Sequence, residues 1–354
     1  MGNILKKESI AGNLIDLPEQ PAGLAWPTER WPTAELTVAD QQQFDRHANA
    51  VFDLNDAQGV TYALLIVKGG RIVYERYDAG ATRFYLQYSW SMAKSIVHAL
   101  VGILVRDGRL DIYQPATVPE WQKADDPRAR ITIDQLLRMS SGLDFLEDYV
   151  GRNSDVIQML NFAGRDDMGA FAADKPLAQE PDTYWSYSSG TTNIICRIIK
   201  EIIGNGPTGM LNFMSEELFE PIGMRSATPR FDLAGTFIGS SFLLDTPRDF
   251  ARFGYFYLRD GVWEGNRILP EGWVDYGRSP TYEGPSRTDE NEMTAYGSHW
   301  WLTPGKTSFF AGGHDGQRIL IVPEKDLVVV RNGMTPADQI QPVWDNINAL
   351  VELL

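Results

Sequence analysis

The sequence has almost no cysteine and no long apolar run. Cys196 is the only cysteine among the 354 residues, so no internal disulfide can form. It lies in the apolar run Ile194-Ile195-Cys196, where we expect a small buried thiol. No stretch approaches the ~20 apolar residues of a membrane span, and residues 1–13 lack the apolar core of a signal peptide. We therefore expect a cytoplasmic protein that does not enter a membrane.

Positive charge is also in short supply. The chain has 32 Lys and Arg against 47 Asp and Glu, which gives a formal net charge of −15. Such a surface repels nucleic acid and anionic lipid, so neither is an expected partner. Only four histidines occur, and none has the spacing of a metal site, so no metal and no other cofactor is expected. The oligomeric state is left open, with a homodimer as one option.

Strand patterns near both ends of the sequence flank a central helical block. Two β-rich runs around Gly69-Gly70 predict a hairpin. Helix and loop patterns dominate the middle of the chain. We therefore predict an α+β fold, in which helices flank an antiparallel sheet and a large, mainly helical domain is inserted. The predicted strands are 61–67, 71–77, 298–303, 308–311, 318–322 and 327–331.

These patterns divide the chain into three predicted regions. Residues 1–36 form an N-terminal arm rich in proline and tryptophan. Residues 37–109 and 246–354 form the sheet domain, and residues 110–245 form the mainly helical domain. The predicted helices of the sheet domain begin after a capping-box pattern at 37–40 and cover 91–105, 247–258 and about 337–353.

Ser91 and Lys94 form a Ser-x-x-Lys motif at the start of a predicted helix. A hydroxyl is a weak nucleophile at neutral pH and needs a neighbouring base. Residues three apart share a helix face, and burial of that face would lower the pKa of the lysine until its free amine can take the hydroxyl proton. The alternative is a helix-capping serine followed by a solvated lysine. No Gly-x-Ser-x-Gly turn occurs, which weakens an α/β-hydrolase interpretation.

Two further motifs favour the catalytic interpretation. Tyr187 and Ser189 lie in the loop Trp185-Ser-Tyr-Ser-Ser-Gly190, where a phenol beside a lysine can relay protons. The segment Phe310-Ala-Gly-Gly-His-Asp-Gly-Gln317 leads into a predicted strand. Glycines at a strand edge let the backbone approach a substrate and offer an N–H to an oxyanion. Taken alone, Tyr187 could instead be a surface-loop tyrosine, and the segment 310–317 could be a glycine-rich hairpin turn.

In this order, the three motifs resemble those of the serine β-lactamase and penicillin-binding-protein superfamily. Within it the sequence most resembles the class C β-lactamase branch, and there the 6-aminohexanoate-dimer hydrolases and related carboxylesterases. The resemblance extends from about residue 60 to 354. Stretches that share the family's style outside the motifs are 136–143, 218–224, 246–253 and 316–330.

The resemblance implies a role for each motif residue. Ser91 would be the acylated nucleophile, Lys94 its base and Tyr187 the proton relay. Ser189 would take the place of the asparagine of the second motif and help to bind substrate. The oxyanion hole would combine the N–H of Ser91 with an N–H of the third motif.

The third motif departs from the family pattern, because Lys-Thr-Gly is absent. Two registers are open. In the first, Ala311-Gly312-Gly313 stands in its place and the N–H of His314 is the second oxyanion donor; in the second, His314-Asp315-Gly316 replaces it and Gln317 donates. We prefer the first register, with Gly313 and His314 at the oxyanion hole. In β-lactamases the missing lysine helps to hold the antibiotic carboxylate, so its loss argues against β-lactam substrates.

The sequence therefore predicts a serine hydrolase that cleaves a carboxylic ester or a linear amide. Tyr149 and Trp185 are expected to line a substrate cleft between the sheet and the helical domain. β-Lactam or D-amino-acid peptide cleavage ranks behind these two activities. A different class of function, non-catalytic binding of peptides or cell-wall fragments, is disfavoured because a pure binder has no need of Ser91, Lys94 and Tyr187 together.

Overall fold

The computed structural model describes residues 14–283, 295–303, 305 and 307–354. The helices are α1 Gln41–Phe52, α2 Ala93–Arg106, α3 Ile133–Leu137, α4 Asp155–Asn161, α5 Met168–Ala173, α6 Ser189–Ile203, α7 Gly206–Met214, α8 Pro247–Leu258, α9 Trp273–Gly277 and α10 Gln341–Leu353. The strands are β1 Val60–Lys68, β2 Arg71–Tyr77, β3 Gln87–Tyr88, β4 Thr228–Pro229, β5 Leu243–Asp245, β6 Val262–Trp263, β7 Asn266–Arg267, β8 Tyr282–Glu283, β9 Ala295–Tyr296, β10 Trp301–Leu302, β11 Phe309–Gly313, β12 Gln317–Val322 and β13 Leu327–Met334.

One antiparallel sheet joins the two ends of the chain. Its eight strands follow the order β2-β1-β13-β12-β11-β10-β9-β8. The N-terminal hairpin enters this sheet because β1 pairs with β13, with Lys68 opposite Leu327. Helices α3 to α7 all lie between α2 and β5 along the chain. The predicted α+β fold, with an antiparallel sheet and a helical insertion, is confirmed.

Helices cover both faces of this sheet. Side chains alternate along β1, so that Leu64 and Ile66 join the core that includes α1 and α10. Leu65 and Val67 face the opposite core, which includes α2 and α8. A strand buried on both faces is nearly continuously apolar, as the sequence of β1 is.

The N-terminal arm lies against the sheet domain from residue 14 onwards. The indole of Trp26 packs against that of Trp263 with their ring centres 5.0 Å apart. Trp31 is only 2% exposed, and its indole N–H donates to the carbonyl of Arg248. The bridge between Thr33 and Ile72 adds a short backbone link. The arm therefore lays its aromatic rings on the body of the protein, as its sequence predicts.

Several predicted boundaries are wrong by a few residues. Helix α1 begins at Gln41, directly after residues 37–40, but its cap is Asp40 and not Thr37, because the Asp40 carboxylate accepts from the backbone N–H of Gln43. The run 298–303 is a strand only at 301–302, since His299 has a left-handed backbone with φ of 56°. The sheet formed by β3, β5 and β4 was not predicted, because its strands are too short to show an alternating pattern.

No helix among the described residues is both long and apolar enough to cross a bilayer.

The thiol of Cys196 is fully buried in α6, and this burial raises its pKa to about 12. The expected small buried thiol is confirmed.

His299 makes the fold sensitive to acid. Its ring is buried, its Nδ1–H donates to the carbonyl of Leu137 at 2.8 Å, and Thr192 Oγ1 lies 3.0 Å from Nε2. Burial lowers the pKa of His299 from 6.5 to about 3. Between these two pH values, His299 therefore binds a proton in the unfolded chain but not in the folded chain. We expect this group to lower the free energy of unfolding by about 1.4 kcal/mol per pH unit as the pH falls from 6.5 towards 3.

The measurement is the urea midpoint of unfolding at several pH values between 7 and 4. His299→Asn keeps a donor near the position of Nδ1 but cannot be protonated, so its midpoint should fall less steeply with acid than that of wild type. His47→Asn, outside the core, is the control. Equal slopes for wild type and His299→Asn would contradict the prediction.

Candidate active site

Ser91 and Lys94 meet at the junction of a short turn and a buried helix. Ser91 lies in a 3₁₀ turn, Trp90–Met92, and not in the α-helix that the sequence predicts from residue 91. Helix α2 begins at Ala93, so Lys94 falls in its first turn. Lys94 Nζ lies 3.1 Å from Ser91 Oγ. The predicted nucleophile and its predicted base are therefore within hydrogen-bonding distance.

The surroundings of Lys94 favour a neutral amine. The side chain is 2% exposed, and burial lowers its pKa from 10.5 to about 8, although the negative charge of Glu147 opposes the shift. Nζ also donates to the carbonyl of Ser240 at 2.8 Å and lies 3.1 Å from Ser189 Oγ. These contacts hold the amine towards Ser91.

The second motif lies against this pair, as predicted. Ser188 caps α6 by accepting from the N–H of Thr191, which places Ser189 at the first position of the helix, beside Lys94. The ring centre of Tyr187 is 4.8 Å from Lys94 Nζ. The same ring stacks on Trp301 at 5.2 Å. Tyr187 is thus fixed by the sheet on one side and meets the base on the other.

Glu147 is a site residue that the sequence did not reveal. Its carboxylate accepts from the N–H of Ser189 at 2.8 Å and from Ser189 Oγ at 2.6 Å. It also accepts from the hydroxyl of Tyr149 at 2.5 Å. A hydrogen-bonded chain therefore runs from Ser91 through Lys94, Ser189 and Glu147 to Tyr149. Its position two residues before Tyr149 was the only signal in the sequence.

Glu147→Gln tests this hydrogen-bonded chain. Loss of the carboxylate charge removes the influence that raises the pKa of Lys94, so the midpoint of the rise of kcat/KM with pH should move below 8. Glutamine has one acceptor oxygen where Glu147 uses two, so we expect the plateau value of kcat/KM to fall about 10-fold. Ester hydrolysis between pH 5.5 and 9.5 measures both effects. Asp148→Asn is the matched control, and a profile identical to wild type in Glu147→Gln would refute the coupling.

The third motif lies beside the turn that carries Ser91. Strand β11 ends at Gly313, where a Cβ would sit 2.4 Å from the carbonyl oxygen of Ser89, so only glycine fits without a shift. His314 to Gly316 form a tight turn in which Asp315 has a left-handed backbone, and Gln317 is the first residue of β12. The side-chain amide of Gln317 is buried and donates to the carbonyl of Gly333. This arrangement favours the register with Gly313 and His314 next to the nucleophile.

The two predicted cleft residues occupy different positions. Tyr149 is 42% exposed, and its ring stacks on that of His314 with centres 5.6 Å apart. Burial of its hydroxyl, followed by the charge of Glu147, raises the pKa of Tyr149. Trp185 is only 6% exposed and packs against Trp301 behind the ring of Tyr187. Tyr149 thus lies at the rim of the candidate site, whereas Trp185 lies in the core. Direct contact with substrate stays a prediction for both residues.

An antiparallel sheet flanked by helices, with a serine hydroxyl against a lysine of lowered pKa, defines a serine hydrolase of the Ser-x-x-Lys type. The chain belongs to the Beta-lactamase family, which it matches over residues 46–349.

Similar proteins carry several hydrolase names. A 6-aminohexanoate-dimer hydrolase of Paenarthrobacter ureafaciens is 29% identical over 297 residues, which cover 78% of this chain and 73% of that protein. The structure of a putative 6-aminohexanoate-dimer hydrolase from Bacillus anthracis matches with a TM-score of 0.71 and 23% identity, over 96% of this chain and 91% of the other. A family VIII carboxylesterase matches with a TM-score of 0.65 and 16% identity, over 90% and 99%. The two structural matches show the shared fold.

Proposed function

We propose that this enzyme hydrolyses a linear carboxylic ester or amide through an acyl-enzyme on Ser91. The observation that carries the proposal is the 3.1 Å contact between Ser91 Oγ and an amine, that of Lys94, whose pKa is lowered to about 8. A neutral amine at this distance can accept the hydroxyl proton as the oxygen attacks a carbonyl carbon.

The remaining residues would complete two acyl transfers. In the first, the Ser91 proton passes to Lys94 while Oγ bonds to the carbonyl carbon, and the N–H groups of Ser91 and His314 bind the oxyanion. Tyr187 passes the proton to the leaving alcohol or amine as its bond to the carbonyl carbon breaks. In the second, water loses a proton to Lys94 and Tyr187 and attacks the carbonyl carbon of the acyl-enzyme. The bond to Ser91 Oγ then breaks, and the same residues return the proton to Oγ. Glu147 accepts hydrogen bonds from Ser189 and Tyr149, and these two residues would orient the substrate.

The charges around Ser91 separate the candidate substrates. In the preferred register the third motif has Ala311 where β-lactamases have a lysine, so no cation from that position is available for an antibiotic carboxylate. The carboxylate of Glu147 at Ser189 would further repel an anionic group. Linear esters and amides therefore rank above β-lactams and D-amino-acid peptides. The names of the relatives, a dimer hydrolase and a carboxylesterase, favour the same two substrate classes.

Covalent labelling followed by a rate panel tests the proposal. A fluorophosphonate should add one adduct to the intact protein, and peptide mapping should place it on Ser91. A p-nitrophenyl ester or the 6-aminohexanoate dimer should then be turned over faster than a chromogenic cephalosporin. Absence of an adduct together with no turnover would favour a non-catalytic peptide or cell-wall-fragment binder. Preferential turnover of the cephalosporin would overturn the substrate assignment.

The cellular setting belongs to the same proposal. The excess of acidic residues favours a small-molecule substrate over nucleic acid or anionic lipid. We propose a cytoplasmic enzyme whose only partner in catalysis is that substrate.

A further inference from the structure

An apolar stripe leads along the surface to the nucleophile. Leu86, Tyr88 and Trp90 alternate with Gln87 and Ser89 just before Ser91; Gln87 and Tyr88 form β3, and Trp90 begins the 3₁₀ turn that carries Ser91. Gln87 and Ser89 point inward and are 5% and 0% exposed, whereas Leu86 is 39% and Tyr88 50% exposed. Leu86 and Tyr88 therefore share the outward face of this segment, and Trp90 joins it because its ring stacks on that of Tyr88.

The stripe is continuous with the rim of the active site. The rings of Tyr88 and Trp90 stack with centres 5.8 Å apart. Trp90 in turn meets Phe242 at 5.7 Å and His314 at 5.5 Å. His314 stacks on Tyr149 across the site. An aromatic surface therefore extends without a break from Tyr88 to both sides of Ser91.

The chemistry of the stripe indicates an uncharged ligand. Residues 84–90 contain no Lys, Arg, His, Asp or Glu, in a chain with a net charge of −15. Phe84 and Tyr85 extend the apolar surface and are 72% and 53% exposed. Clustered exposed apolar side chains mark a binding surface, whereas single ones need no explanation. A ligand on Leu86, Tyr88 and Trp90 gains mainly by apolar contact, and the nearest charged residue in the sequence, Arg83, lies over the ring of Phe84.

We propose that Leu86, Tyr88 and Trp90 bind an uncharged alkyl chain of the substrate. This inference rests on the proposed function, because the occupant is the substrate whose carbonyl is attacked by Ser91. The chain is attached either to the carbonyl carbon or to the leaving alcohol, and its length extends away from Ser91 along the stripe. The stripe continues from Trp90 over Tyr88 to Leu86, so medium-length chains gain more contact than short ones.

Two ester series test the stripe and identify which end of the substrate it holds. In one, the acyl chain of p-nitrophenyl esters grows from acetate to octanoate; in the other, the alcohol of acetate esters grows from ethyl to octyl. All are used below the concentration at which they form micelles. For wild type we expect kcat/KM to rise about 10-fold or more along one series, because each added methylene leaves water. Tyr88→Ser should remove most of that rise.

Tyr113→Ser is the matched control, since Tyr113 is also an exposed tyrosine but lies outside the stripe. Its chain-length ratio should equal that of wild type. A flat response in both series, or an equal rise in Tyr88→Ser, would overturn the stripe while leaving ester hydrolysis by Ser91 intact. A rise that is absent below the concentration of micelle formation and appears only above it would mean that the stripe binds the surface of an aggregate. That result would also overturn the proposal. Failure of wild type to hydrolyse any ester or amide would instead refute the proposed function.

Discussion

Ser91→Ala is expected to lower kcat/KM for every ester and amide substrate by at least about 10⁴-fold. The methyl group cannot form the acyl-enzyme, and without a nucleophile Lys94 and Tyr187 have no proton to relay. Losses of this size follow removal of a nucleophilic serine in other hydrolases, since the members of such a site act as one unit. The fluorophosphonate adduct should disappear together with the activity.

Ser95→Ala is the matched control for this loss. Ser95 lies one helical turn further along α2, is buried, and donates to the carbonyl of His299 and not to a site residue. It should keep its activity and its adduct. Thermal unfolding of both variants checks that the loss in Ser91→Ala is chemical. A folded Ser91→Ala protein with activity near wild type would exclude Ser91 as the nucleophile.

Lys94→Arg is expected to lower kcat/KM by about 10³-fold or more at neutral pH. Arginine keeps the positive charge but does not lose its proton in this pH range, so it cannot accept the proton of Ser91. Lys94→Met removes the charge, and so leaves no unpaired cation buried in the site, but it also lacks a base. It should therefore be as inactive as Lys94→Arg. Together the two variants separate the need for a base from the need for a charge.

The same lysine sets the pH dependence of wild type. The protonated amine cannot act as a base, so activity should be lost as the pH falls through about 8 and should reach a plateau above it. kcat/KM for a p-nitrophenyl ester, measured from pH 5.5 to 9.5, gives the midpoint. Lys200→Arg, near the far end of α6, is the control and should reproduce the wild-type curve. A flat profile in wild type, or a folded and active Lys94→Arg, would contradict the assignment of the base.

Local sequence predicted the pieces that depend on nearest neighbours. The strands on both sides of Gly69-Gly70 and the helix at 247–258 follow from periodicity and turn residues, and the structure has them. The three-residue spacing predicted that Ser91 and Lys94 meet, and this holds although Ser91 lies in a 3₁₀ turn. Glu147 could not be found in this way. Its partner Ser189 is 42 residues away along the chain, and no pattern in the intervening residues, which include α4 and α5, links them.

The order and type of the motif residues, and thereby the class of chemistry, were determined by the sequence alone. The tertiary structure decided that Lys94 is buried and that Glu147 accepts from Ser189. It also decided that Gly313 lies against Ser89, that Trp185 packs inside the core, and that Tyr88 and Trp90 stack beside the nucleophile. The reason is physical: a pKa and an exposed apolar surface depend on every group packed around a side chain, and segments distant in sequence supply those groups.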